Sequence, residues 1–385
     1  MLISNANIKT LPSNGKYIVM SDCHRGDGSA ADEFAHNSLI YKCALEYYLK
    51  EGFTYIELGD AEELWENDSF EQIYITHTSV YELLHRFHDP DPAKTRYLKV
   101  WGNHDADWCD NAAPLRSLFP DIQLHEAVLI EGQGFAGSSV PNPPVSPFAK
   151  GGREKSAGAK GVREEGVHTE EGVLPILLLH GHQADPICTG LRAKISRYIV
   201  RHVWARLQRI GIGDPTRAAE NPGRCDEIDR TLYQMATRES TDMAQIRAHP
   251  EPVVRQAHHA RDNWPTALDK PPAHPEPVEG CVSEPVPENP TIVIAGHTHR
   301  PVFANLSLTE RRFLESGIGT PGVRRKEKAE PVYYNTGSCV HPRCITGLEI
   351  TAHNITLAKW GYAAAATDPP YPLAIARTVL EEGKR

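Results

Sequence analysis

The chain has 385 residues, 40% of them apolar and 24% charged, with a formal net charge of -9. This composition supports a packed core and excludes a chain disordered throughout. The acidic balance argues against general nucleic-acid binding, which draws on a basic surface to release counterions from phosphates.

In chain order, the first apolar run, "YIVMS" at 17–21, predicts a strand. At about five residues it is too short for the apolar core of a signal peptide or for a spanning helix, so a cytoplasmic location is expected. Apolar residues recurring at three and four predict helices over 32–50 and 69–87, with strands at 54–58 and 97–100. Further strands are predicted at 176–179, 292–295 and 332–335. Several are short continuous apolar runs, the pattern of strands buried on both faces. Strand and helix alternate, which predicts a layered α/β fold with active-site groups gathered where strands end. The eight cysteines are scattered without a CxxC pair or zinc-ribbon spacing, so they are read as free thiols.

Three stretches interrupt this pattern. Residues 131–172 are rich in Gly, Pro and Lys, residues 248–290 in Pro, Glu and His, and residues 315–330 are polar and glycine-bearing. "AHPEPV" occurs at 248–253 and again at 273–278, too few copies for a solenoid. All three are expected to be flexible surface insertions within a single domain, outside the chemistry. Segment 187–247 differs in character. Between 187 and 210 there are six Lys or Arg and no acidic residue, while Leu191, Ile195, Ile199, Val203, Leu207 and Ile210 fall at helical spacing. After "GIGDP" a second helix is predicted at 226–238, making a helical hairpin between two core strands. The basic face is either simply solvated or part of a cap that attracts an anionic nucleotide or phospholipid head group, or rests peripherally on a membrane surface.

Five segments set metal-binding side chains just after an apolar run. They are "SDCH" (Asp22, His24), "LGDAEE" (Asp60), "WGNHD" (Asn103, His104, Asp105), "LLLHGH" (His180, His182) and "IAGHTH" (His297, His299). Singly, an Asp or His at a strand end is as readily a cap or turn former. Together they form a set of Asp, Asn and His donors that suits Mn, Fe, Zn or Co better than calcium. In an extended chain residues two apart share a face, so Asp22 and His24 are expected to point together and Cys23 away. Gly59 before Asp60 lets the backbone approach closely in a tight turn. Arg25 could offer a fork of donors to a substrate phosphate, or pair with Asp27.

The order of these motifs resembles that of the calcineurin-like metallophosphoesterase superfamily, whose signature runs D-x-H, G-D, G-N-H-D/E, H and G-H-x-H. The resemblance implies two packed β-sheets flanked by helices and a centre of two divalent metal ions, manganese foremost. Asp22, His24 and His299 would hold one ion, Asn103, His180 and His297 the other, and Asp60 would bridge them. His180 is preferred to His182 as the fourth-motif ligand because it directly follows its strand; His182 could line the substrate side or face solvent. The resemblance further implies that His104 contacts the phosphoryl group or protonates the leaving oxygen, that Asp105 orients it, and that a metal-bridging hydroxide attacks phosphorus.

Departures narrow the class. Protein serine/threonine phosphatases continue the second motif as G-D-x-V-D-R-G, whereas this chain reads "GDAEELWE". "SDxH", "GDxxE.W" and "HGH", with a helical insertion after the fourth motif, look more like the branch containing UDP-2,3-diacylglucosamine pyrophosphatases. That branch carries an arginine where this chain has His104, so its lipid substrate is not carried over. The expected activity is hydrolysis of a phosphodiester or pyrophosphate in a small substrate that is nucleotide- or lipid-linked. A phosphomonoesterase and a non-catalytic metal-bound scaffold are the alternatives.

Overall fold

The computed structural model describes residues 8–67, 69–132, 173–188, 222–237, 291–303, 324–326, 333–364 and 373–385. The expected insertion at 248–290, nearly all of that at 131–172, most of that at 315–330 and the basic helix from residue 189 onward lie outside the described residues.

In chain order the strands and helices are β1 (Ile8–Leu11), β2 (Tyr17–Met20), α1 (Ser38–Lys50), β3 (Thr54–Leu58), α2 (Phe70–Thr76), α3 (Thr78–His85), β4 (Tyr97–Val100), α4 (Asp107–Asp110) and α5 (Ala113–Leu118). There follow β5 (Leu124–His125), β6 (Ala127–Ile130), β7 (Ile176–Leu179), α6 (Pro222–Thr237), β8 (Ile292–Ala295) and β9 (Pro301–Phe303). The last are β10 (Arg324–Lys326), β11 (Tyr333–Thr336), β12 (Cys344–Ile350), β13 (Asn354–Ala364) and β14 (Leu373–Lys384).

These strands form two mixed sheets. One has six strands in the order β1-β6-β7-β8-β11-β9, the other eight in the order β10-β14-β13-β12-β2-β3-β4-β5. Strand alternation explains how they stack. Val19, Ile56, Leu58, Leu98 and Val100 of the larger sheet and Val128, Ile130, Ile176, Leu178, Ile292 and Ile294 of the smaller belong to one buried cluster, which fills the space between the sheets. On the outer face of the larger sheet, Ile18, Met20, Tyr55 and Tyr97 pack with residues of α1 and α3. On the outer face of the smaller sheet, Leu177, Leu179, Val293 and Ala295 pack with Ile228, Leu232 and Ala236 of α6. The architecture is therefore a two-sheet α/β sandwich with helices on both outer faces.

All six expected strands form, within a residue of their expected ends. The helix expected at 69–87 is broken at His77. Its imidazole turns inward to place Nε2 2.7 Å from Asp32, and its backbone leaves the helical region. The helix expected from 32 begins only at Ser38, because Asp32 is engaged in the preceding loop, accepting from Gly28 N and Ala35 N at 3.0 Å each. The second helix of the expected hairpin is present as α6. No helix among the described residues is long and apolar enough to cross a membrane.

Candidate metal centre

Strands β2, β3 and β4 run parallel, as do β7 and β8, so the loops that follow each trio or pair leave from one edge of their sheet. Those loops carry the five motifs. Backbone bonds from Asp22 N to Gly59 O (3.1 Å) and His24 N to Asp60 O (2.9 Å) lock the first two together, and His297 N donates to both Asp22 carboxylate oxygens at 3.1 and 3.0 Å. The latter contact joins the two sheets at the site.

The turns are sharply bent. Asp22, His24, Asp60, His297 and His299 all have positive φ, between 48° and 69°, a region that non-glycine residues seldom occupy. Strain of this kind persists where surrounding contacts over-determine it, and it clusters at functional sites. It also corrects the expectation about Asp22 and His24. β2 ends at Met20, so the two side chains converge through left-handed turns and not through the pleat of a strand. Cys23 does point away, into the apolar cluster beneath α1.

Two groups of side chains result that could each hold a metal ion, Asp22, His24 and the partly exposed His299 in one and the buried Asp60, His180 and His297 in the other, and the buried His24, Glu63 and His104 share the same spacing. In the first, His24 Nε2 lies 3.2 Å from His299 Nε2, and His299 Nε2 lies 3.3 Å from Asp22 Oδ1. In the second, His180 Nε2 lies 3.0 Å from Asp60 Oδ2, the same oxygen that is 3.8 Å from His24 Nε2. Asp60 thus faces both groups. These separations match the edges of a coordination shell, since donors about 2.1 Å from one ion are about 3.0 Å apart at a right angle and about 3.4 Å apart in a tetrahedron.

The hydrogen-bond inventory points the same way. His180 Nδ1 lies 2.9 Å from Leu58 O, a pure acceptor, so Nδ1 carries the proton and Nε2 is left facing an anionic oxygen without hydrogen-bond geometry. His24 Nδ1 is likewise taken, 2.6 Å from Glu63, which turns its Nε2 toward His299. Asn103 Oδ1 is buried with no hydrogen-bond partner, although such atoms are nearly always satisfied. A cation among these atoms would meet each need.

Electrostatics agree. Burial works against charge on His24 and His180, yet Glu63 and Asp60 beside the first, and Asp60 and Asp22 beside the second, outweigh it and raise both rings to about 9. Burial also works against Asp22 and Asp60, but His299 and His180 hold the first, and His180 and His104 the second, below the usual carboxylate range. The field that favours protons on these rings favours a divalent cation between them.

His104 lies beside the first group, its ring 4.6 Å from that of His24 and stacked on Trp65 at 4.4 Å and 21°. Its expected partner was Asp105. The structure puts Glu63 there instead, 2.8 Å from His104 Nδ1. The Asp105 carboxylate turns back, accepting from Gly102 N at 2.6 Å and Ala61 N at 3.0 Å, so it braces the two loops and does not touch the ring.

Arg25 also departs from expectation. It is fully buried, with its guanidinium 2.8 Å from Glu57 and 2.6 Å from Glu62, on the helix side of the larger sheet. Lys99 completes this network at 2.9 Å from Glu57 and 2.8 Å from Glu62. Arg25 therefore meets neither a substrate phosphate nor Asp27. His182 is brought to the site, its ring 5.4 Å from that of His180 and 5.3 Å from that of Trp101. Burial and the neighbouring His180 and His297 hold it well below its usual range.

Glu63 and Asp185 are site residues that motif reading missed. Glu63 stands inside the quoted "LGDAEE", three residues after Asp60, and Asp185 three residues after His182. Asp185 is fully buried and lies 3.0 Å from His297 Nε2, and Asp185, Cys188 and His297 form a further group with metal-ligand spacing. Asn335, in β11, supports the turn before His297, its amide donating to Gly296 O at 2.7 Å.

Neither the protein-family models nor the curated proteins contain a match to this chain. The reading of the site accordingly stands on its geometry.

Proposed function

We propose that the chain is a dinuclear metal-dependent phosphohydrolase, of the calcineurin-like metallophosphoesterase type, acting on a phosphodiester or pyrophosphate bond in a small nucleotide- or lipid-linked substrate. The observation that carries this reading is the Asp60 carboxylate standing between His24, which is grouped with Asp22 and His299, and His180, which is grouped with His297.

Asp22, His24 and His299 would hold one ion, and Asn103, His180 and His297 the other, with Asp60 shared. Manganese is the first choice, and iron, zinc and cobalt also suit these donors. Such a pair of ions would polarise phosphoryl oxygens and lower the pKa of a water. The protein's own contribution is positional and acidic. Glu63 accepts from His104 Nδ1, which leaves Nε2 as the nitrogen able to face a substrate. Burial pulls His104 down, but Glu63 and Asp60 outweigh it and raise the ring to about 9 in the metal-free protein, and the Glu63 contact favours the protonated form that can give a proton to a departing oxygen. Trp65 stacks on that ring and restricts its rotation.

The test compares initial rates on bis(p-nitrophenyl) phosphate and p-nitrophenyl phosphate after reconstitution with manganese. Faster hydrolysis of the diester is expected. A preference for the monoester would replace the diester assignment, and hydrolysis of neither or of other phosphoesters, with metal bound, would leave a scaffold.

A further inference from the structure

The helix α6 is joined to the metal centre at two points, and both reach the turn that bears His297 and His299. Arg224 Nη2 bonds to Asp185 Oδ2, the same oxygen that lies 3.0 Å from His297 Nε2. The other Asp185 oxygen accepts from Ile187 N at 2.9 Å, and Cys188 Sγ lies 3.6 Å from the carboxylate. Five residues further along α6, Asp229 Oδ1 receives the Thr298 hydroxyl at 3.3 Å and the Tyr333 hydroxyl at 2.8 Å. Thr298 sits between the two histidines, whose φ values are 69° and 56°. A turn so bent depends on outside contacts to stay in place.

An ionised carboxylate only accepts, so the contact with Asp185 puts a proton on His297 Nε2 and leaves Nδ1 with the free lone pair that a metal requires. We propose that Asp185 is the positioning residue that fixes which nitrogen of His297 meets the metal, and that Arg224 makes docking of α6 part of building that metal site. Resting on the reading that His297 is a metal ligand, the proposal gives α6 a task beyond covering the smaller sheet. Metal affinity on the His180 side is set by contacts from a helix that supplies no ligand itself.

The experiment is manganese titration by calorimetry on the full chain stripped with EDTA, with bound manganese counted after dialysis. Wild type is expected to take two ions. Asp185→Ala should weaken one of them by about 10- to 100-fold and leave the other unchanged. Asp185→Asn, which keeps an acceptor for Nε2–H, should lose less. Arg224→Ala should weaken the same ion by several-fold, and adding it to Asp185→Ala should cost nothing more, because Arg224 acts through Asp185. Wild-type affinity in Asp185→Ala, equal losses in the Ala and Asn variants, or additive losses in the double variant would each overturn the proposal. If Asp185→Ala does not fold, the Asn variant and Arg224→Ala still decide it. Failure of the phosphohydrolase reading is separately visible, since a wild-type chain that binds two manganese ions and hydrolyses nothing leaves this proposal intact.

Discussion

His104 Nδ1 lies 2.8 Å from the Glu63 carboxylate, and the same carboxylate lies 2.6 Å from His24 Nδ1. One buried acid therefore orients both a proposed metal ligand and the proposed proton donor. Glu63→Gln keeps the volume but can offer only one carbonyl oxygen to two N–H donors. We expect its kcat to fall about 10- to 100-fold, together with weaker binding of one manganese ion. Steady-state kinetics beside metal counting would reveal this, and a variant with wild-type values in both would remove Glu63 from the site.

Replacing His104 itself separates catalysis from metal binding. The ring contributes no atom to the two proposed ligand sets, so His104→Ala should retain its metal. Loss of a positioned proton donor should lower kcat by about 10^2- to 10^4-fold. A substrate whose leaving group needs no protonation should be affected least. Equal losses on p-nitrophenyl and alkyl leaving groups would contradict the assigned role.

The Arg25, Glu57, Glu62 and Lys99 network lies on the outer face of the larger sheet, all four residues fully buried, and Lys99 also lies 3.6 Å from the buried Asp105 carboxylate, so two cations face three acids. Removing one partner leaves a buried charge uncompensated, so Lys99→Met is expected to destabilise by about 3–5 kcal/mol in urea unfolding. Burial opposes charge on Glu57, but Arg25 and Lys99 hold its pKa far below the unfolded value. Its contribution is thus complete above the ordinary glutamate range and is lost as the pH falls through the lowered folded value. The protein that remains folded should bind metal normally.

Where the sequence was legible, one local signal sufficed. The six central strands are short apolar runs, and the ligand motifs stand directly after them. Arg25 could not be read this way because its partners lie 32 and 37 residues on and meet it only when β2 and β3 pair. Glu57 and Lys99 did leave a trace, as charged residues inside the runs "YIEL" and "YLKV" that become register partners in adjacent strands. Proximity in sequence misled for Asp105, which follows His104 but is turned toward Gly102 N and Ala61 N. The long β12 to β14 meander was missed because polar residues and glycine interrupt its apolar ones: β12 is buried throughout yet carries Thr346, Gly347 and Glu349, and β13 and β14 are partly exposed.

Gly59 ties the backbone to the metal centre. Its φ is +84°, and a Cβ there would fall 2.4 Å from His180 Nδ1. Gly59→Ala therefore meets both a strained conformation and a clash with a ring held on its far side by Asp60. We expect a stability loss of more than about 1 kcal/mol and weaker metal binding on the His180 side. Normal manganese content in a folded Gly59→Ala protein would show that His180 is free to shift, against the tight packing described.

His125 predicts a pH dependence unrelated to the metal centre. Its Nε2 is buried without a hydrogen-bond partner, and burial, with Lys9 adding to it, pushes its pKa down to about 4. Above pH 6.5 the ring is neutral in both folded and unfolded chains, and its contribution to stability is complete. As the pH falls below 6.5 the unfolded chain takes up a proton that the folded chain refuses, so stability declines until the folded ring titrates near 4. The total is about 3 kcal/mol for a difference of this size. His125→Leu should lose that part of the slope between pH 6.5 and 4, and urea midpoints measured across this range in both proteins would test it. Parallel curves would mean that the folded protein admits a proton at His125 as readily as the unfolded chain does.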